Sequence, residues 1–89
     1  MDNQHRKIKG YRELSVEEIA VMNRIKEKGA ELRSLIEEVN SHLDRGLDDE
    51  EVCDRISQAD AYFWLNSAEA DLKVGIMKLV RAVAQPEGF

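Results

Sequence analysis

Seven positions between residues 22 and 43 set what this chain can become: Met22, Ile25, Gly29, Leu32, Ile36, Val39 and Leu43 recur at alternating steps of three and four. That spacing keeps one stripe of an α-helix against a partner helix over several turns. Ser15 followed by Glu18 matches a capping box, in which each side chain satisfies the other residue's free backbone N–H, so the spacing predicts a helix starting at Val16. Run to residue 44, it would be roughly 43 Å long at 1.5 Å per residue. A single 89-residue core does not require so long a helix.

Past this helix, Gly46 is expected as its C-cap, and the acidic run 44–60 is turn-prone. Asp48 with Glu51 is expected to cap a second helical stretch carrying Val52, Ile56 and Ala59, with a break near residues 57–60. Beyond it, Ala61, Leu65, Ala68, Leu72, Gly75, Leu79 and Ala82 repeat the alternation and are expected to form the return seam of an antiparallel hairpin. Ile76, Val80 and Val83 add a second apolar stripe, more than a lone hairpin can bury, so other copies of the chain are expected to cover the excess. Pro86 ends this helix. Ahead of the hairpin, residues 1–5 are expected to be loose and residues 6–14 to form a short helix weakened by Gly10. The predicted class is all-α: a flexible stretch 1–5, then one helical-hairpin domain 6–89 that self-associates.

Charge narrows the functions. The chain carries a formal charge of −5, which argues against a binder of DNA or RNA polymers, since these need an extended basic face. Four cations, Arg6, Lys7, Lys9 and Arg12, nevertheless crowd around Gly10 and Tyr11. A small anion is welcome there. With a lone cysteine, Cys53, no intramolecular disulfide forms and a reducing cytoplasmic setting is expected. No apolar run is long enough to span a bilayer. His5 and His42 are far apart, so no metal site is expected, and no phosphate loop or nucleophile–histidine pair marks an enzyme.

Two residues carry the functional reading. Tyr11 either anchors the N-terminal arm onto the hairpin or, flanked by Lys9 and Arg12, stacks on a nucleobase while the cations meet its phosphate. Lys26 either lays its methylenes over the seam beside Ile25 or, if Gly29 opens a groove one turn on, presents its ammonium to a phosphate. Trp64 with Tyr62 and Phe63 reads as core or oligomer contact, and Cys53 and Met77 as packing.

The opening RKIKGYRELSVEEIAVMNRIKEKG and the closing LKVGIMKLVRAVAQPEGF resemble, in order and at both ends, the second type of phage anti-CBASS protein, a family of cyclic-oligonucleotide sponges. The likeness covers most of the chain outside the acidic middle. It implies a compact helical hexamer in the cytoplasm of the infected bacterium that sequesters cyclic di- and trinucleotide messengers of the cyclic GMP–AMP kind without cleaving them and without a cofactor. It further implies that Tyr11 and Lys26 clamp a cyclic dinucleotide, with Lys9, Arg12 and Gly29 as neighbours. A separate cyclic-trinucleotide site belongs to that family's three-fold assembly; its members carry a basic residue before the tryptophan, where this chain has Phe63. The competing reading is a helical assembly protein with no nucleotide ligand.

Overall fold

The computed structural model describes residues 13–86, which form three helices: α1 (Val16–Gly46), α2 (Glu50–Ala59) and α3 (Ala61–Ala84). The expected short helix over 6–14 falls mostly outside these residues, as does the stretch 1–5; residues 13–15 are not helical. The capping box forms as its chemistry requires: the Ser15 N–H donates to Glu18 Oε1 at 2.8 Å and the Glu18 N–H to Ser15 Oγ at 3.1 Å. Helix α1 begins at Val16 as expected and runs 31 residues.

Helix α3 returns antiparallel along α1. Asp44 near the end of α1 bonds Tyr62 at the start of α3, while Gly29 faces Ile76, so advancing along one helix is retreating along the other. From α1, Met22, Ile25, Gly29, Leu32, Ile36 and Leu43 are half-buried, the predicted seam, with Val39 at its exposed edge. On α3 the seam differs from the expectation. Ala61 and Leu65 face α1, but farther along it is Ile76, Val80, Val83 and Ala84 that turn inward. Ala68, Gly75, Leu79 and Ala82 lie on an exposed flank, and Leu72 sits at the boundary. The reason is steric. α3 has two apolar stripes and only one α1 to cover them, and the branched Ile76 fills the space opposite Gly29, where a built Cβ would stand 3.7 Å from Ile76 Cγ2. What approaches Gly29 within the protomer is thus the Ile76 side chain, at ordinary van der Waals distance.

Helix α2 fills the elbow. Its N-cap is Asp49, one residue after the expected Asp48, because the turn bonds Leu47 N–H→Asp44 O and Asp49 N–H→Gly46 O, each 3.2 Å, leave Asp49 as the extended residue. The Asp49 side chain then accepts from the Val52 N–H at 3.1 Å. The break expected near 57–60 falls on Asp60, whose φ of 56° is left-handed, a conformation aspartate tolerates better than most side chains. At the far end Gln85 closes α3 with φ 49°, followed by Pro86.

Gly46 is the last residue of α1 rather than its C-cap, which is Leu47 in right-handed helical geometry. Its lack of a side chain serves packing: a Cβ there would stand 2.7 Å from Val52 Cγ1 and 3.2 Å from Ile56 Cδ1. Val52 is β-branched and short, so it cannot swing aside cheaply. Gly46→Ala is therefore expected to destabilise the fold by about 1–2 kcal/mol, overpacking outweighing the gain in helix propensity. Urea unfolding checks this; an alanine variant as stable as the parent would show that α2 yields without cost.

The protomer measures 61 × 23 × 15 Å, a layer one to two helices thick. Among the described residues only Ile56 and Ala84 are buried apolar side chains, 8% and 3% exposed. Large apolar groups stay in water, among them Val16 at 74% and Trp64 at 64%. Its ring meets Phe63 edge-on, centroids 4.9 Å apart and planes at 76°.

Candidate ligand-binding site

The capping box fixes where the chain enters α1, and hence the end of the hairpin that carries the basic arm. Lys9, Tyr11 and Arg12 of that arm lie outside the described residues. Lys26 and Gly29 lie within them, nearly three and nearly four turns into α1 respectively.

Lys26 is exposed and has no ion pair or hydrogen bond among the described residues. Lys28, two positions on, differs: its Nζ is 3.5 Å from Glu31 Oε1. Lys26 thus presents its ammonium to solvent, a mobile point charge. A cleft of about 190 Å³ lies between α1 and α3, lined in part by Gly29, Ile36, Leu72 and Ile76. Lys26 does not line it. The cation that does, from α1, is Arg33, seven residues on and so on the same flank of the helix, roughly 10 Å along the axis. Arg33 has no salt-bridge partner among the described residues, whereas Lys73 across the cleft is 3.4 Å from Glu69. The sequence reading passed over Arg33. Its signal was the seven-residue step from Lys26, which puts two cations on one side of the seam.

At the opposite end, the Tyr62 hydroxyl donates to Asp44 Oδ1 at 2.5 Å. That bond, then desolvation and the negative charges of Asp44 and Cys53, pushes the phenol up to about 12. A phenol held protonated more tightly in the folded than in the unfolded chain stabilises fully below its unfolded value of about 10 and loses that contribution as pH rises toward 12. Stability is therefore expected to fall more steeply between pH 10 and 12 in the parent than in Tyr62→Phe. Parallel melting curves of the two across that window would show it, and superimposable slopes would refute it.

Among the described residues no three His, Cys, Asp or Glu side chains gather as a metal site, and no helix is long and apolar enough to cross a membrane. Cys53 is a half-buried free thiol.

No family model matches the sequence. Among curated proteins the chain is similar to "Anti-CBASS protein 2" of Pseudomonas phage JBD67, 38% identical over 107 aligned positions that span 99% of this chain and 99% of that protein. Such identity across nearly the whole of both chains leaves no room for a shared fragment on an unrelated scaffold. The chain belongs to the second type of phage anti-CBASS proteins.

Proposed function

We propose that this protein binds and sequesters cyclic di- and trinucleotide messengers in the cytoplasm of the infected bacterium, without cleaving them, and so starves CBASS effectors of their activator. The observation that carries the reading is Lys26: an exposed lysine with no partner among the described residues, in a member of a phage anti-CBASS family. A cyclic dinucleotide is a dianion with two flat bases and near two-fold symmetry. Two protomers offering one Tyr11 and one Lys26 each match it group for group, the rings stacking and the ammonium groups meeting phosphate. Arg33 extends the basic flank of α1 beyond Lys26, while Lys9 and Arg12 add charge near Tyr11.

Sequestration acts by stoichiometry. Free messenger falls only where sites outnumber ligand and the dissociation constant lies below the effector's threshold. Rigid helices suit this, since little is ordered on binding. Self-association belongs to the same reading: the uncovered flank of α3 and the Phe63–Trp64 pair are the apolar surface that further copies would cover, six of them by the family resemblance.

The test is capture and release. The protein is mixed with cyclic GMP–AMP and passed through a protein-retaining filter, and the retained fraction is denatured and chromatographed. Depletion from the filtrate with recovery of intact ligand is expected. Ligand left in the filtrate would favour a helical assembly protein without a nucleotide ligand, and linear product would mean an enzyme.

A further inference from the structure

The elbow holds a cavity that the reading above does not use. Its volume is about 510 Å³, within the range of small-molecule sites. The floor is Leu43 of α1 with Val52 and Ile56 of α2, and the rim carries His42, Arg45 and Arg55. Gly46 brings the two helices close enough to make the floor continuous.

Two guanidinium groups on one rim are unexpected in a chain of charge −5, unless carboxylates neutralise them. Carboxylates surround both in sequence, yet among the described residues neither Arg45 nor Arg55 has an ion pair. Two of the seven carboxylates between residues 44 and 60 are engaged elsewhere: Asp44 accepts from the Tyr62 hydroxyl, and Asp49 caps α2 through the Val52 N–H. Two arginines without an ion pair, beside an apolar floor, make a site with one anion-accepting end and one apolar end. Arginine forks pair N–H donors with the oxygens of a phosphate, and their planes stack on aromatic rings. A concave space of this size suits a small molecule better than a peptide, which needs an open groove.

We propose that this elbow binds a small aromatic phosphate monoester, its ring on the Leu43–Val52–Ile56 floor and its phosphate between Arg45 and Arg55, with a His42 ring nitrogen as a third contact. The site lies within one protomer and is separate from Tyr11 and Lys26; it does not depend on the sequestration reading.

The experiment titrates the full chain with 5′-AMP as probe, followed by calorimetry and by chemical-shift changes, with adenosine and inorganic phosphate as the two half-ligands. Saturable AMP binding is expected, at least about tenfold tighter than either half. Arg45→Ala with Arg55→Ala is expected to weaken it about a hundredfold, the loss of two charge-assisted contacts. Arg45→Lys with Arg55→Lys keeps the charge, guards against misfolding, and is expected to fall between. Tyr11→Ala with Lys26→Ala is expected to leave AMP binding unchanged, and the arginine variants to leave cyclic GMP–AMP capture unchanged. The proposal is overturned if AMP fails to saturate at millimolar concentration, if the double alanine variant binds it as the parent does, or if binding is lost with Tyr11 and Lys26 instead. It is also overturned if the arginine variants change the molecular mass in solution while AMP does not bind, since a second copy then fills the elbow.

Discussion

Lys26→Ala is expected to weaken cyclic GMP–AMP binding by about two to four powers of ten while leaving helix content and assembly unchanged. A hydrogen bond to a charged group contributes about 1.5–3 kcal/mol, and a two-fold ligand meets two copies of the lysine, giving about 3–6 kcal/mol in all. Lys26 is exposed and supports no described contact, so its removal leaves the fold nothing to repair. Tyr11→Ala is expected to cost a similar amount, at about 1–3 kcal/mol for each stacked base. Salt separates the two, because the lysine's share is screened and the tyrosine's is not. Calorimetric titration of both variants at two ionic strengths is the measurement. Unchanged affinity in both would remove this pair from the site, and a loss accompanied by lower helicity would reassign the residue to the scaffold.

The parts of the fold legible in the sequence are those decided by local chemistry. The capping box at Ser15 and Glu18 needs only four residues to form, and it places the start of α1 correctly. The stripe from Met22 to Leu43 is legible because α1 has one apolar side and that side has one place to go. Helix α3 is different. It offers a stripe of alternating small residues and leucines, and beside it a stripe of β-branched residues, and periodicity scores both. The protomer turns Ile76, Val80 and Val83 inward, with Ile76 filling the space at Gly29, a fact about α1 that no pattern within α3 contains. The one-residue slip from Asp48 to Asp49 has the same origin, since the turn bonds back to Asp44 and Gly46 choose the cap.

The candidate sites divide in the same way. Lys26 can be nominated from sequence because a cation beside an apolar seam is a one-dimensional pattern. Arg33 is a step harder, as its interest comes from the cleft that α3 makes with α1. The pairing of Arg45 with Arg55 is not legible at all. Ten residues separate them in an acidic segment that reads as a solvated turn, and only the reversal of the chain at Leu47 brings them to one cavity. Arginines scattered among carboxylates look compensated in sequence; whether they are depends on where those carboxylates find hydrogen bonds.

The uncovered flank of α3 supplies the second large effect. Leu79 is 52% exposed in the protomer, and a built Cβ on Gly75 meets nothing within 4 Å. If the protomer were the working unit, Leu79→Asp would be an ordinary surface substitution, costing about 0.5 kcal/mol or less. With a second copy laid along Ala68, Leu72, Gly75, Leu79 and Ala82, the same change buries a carboxylate among apolar side chains, a cost of several kcal/mol that dissociation relieves. The released protomer, with so few buried apolar groups, is expected to melt at once. Light scattering and thermal unfolding over a dilution series are expected to show lower mass and a lower melting temperature for Leu79→Asp. Gly75→Ala separates this from a trivial loss of stability through the sign of its effect. On a free flank the added methyl gains up to about 1 kcal/mol of helix propensity and raises the midpoint by about 4–8 °C. Against a closely packed neighbouring helix it overpacks, costing about 1–3 kcal/mol, and lowers the midpoint. A lower midpoint is the expected result; a higher one, with the mass of Leu79→Asp unchanged, would leave the flank in water and require the copies to meet elsewhere.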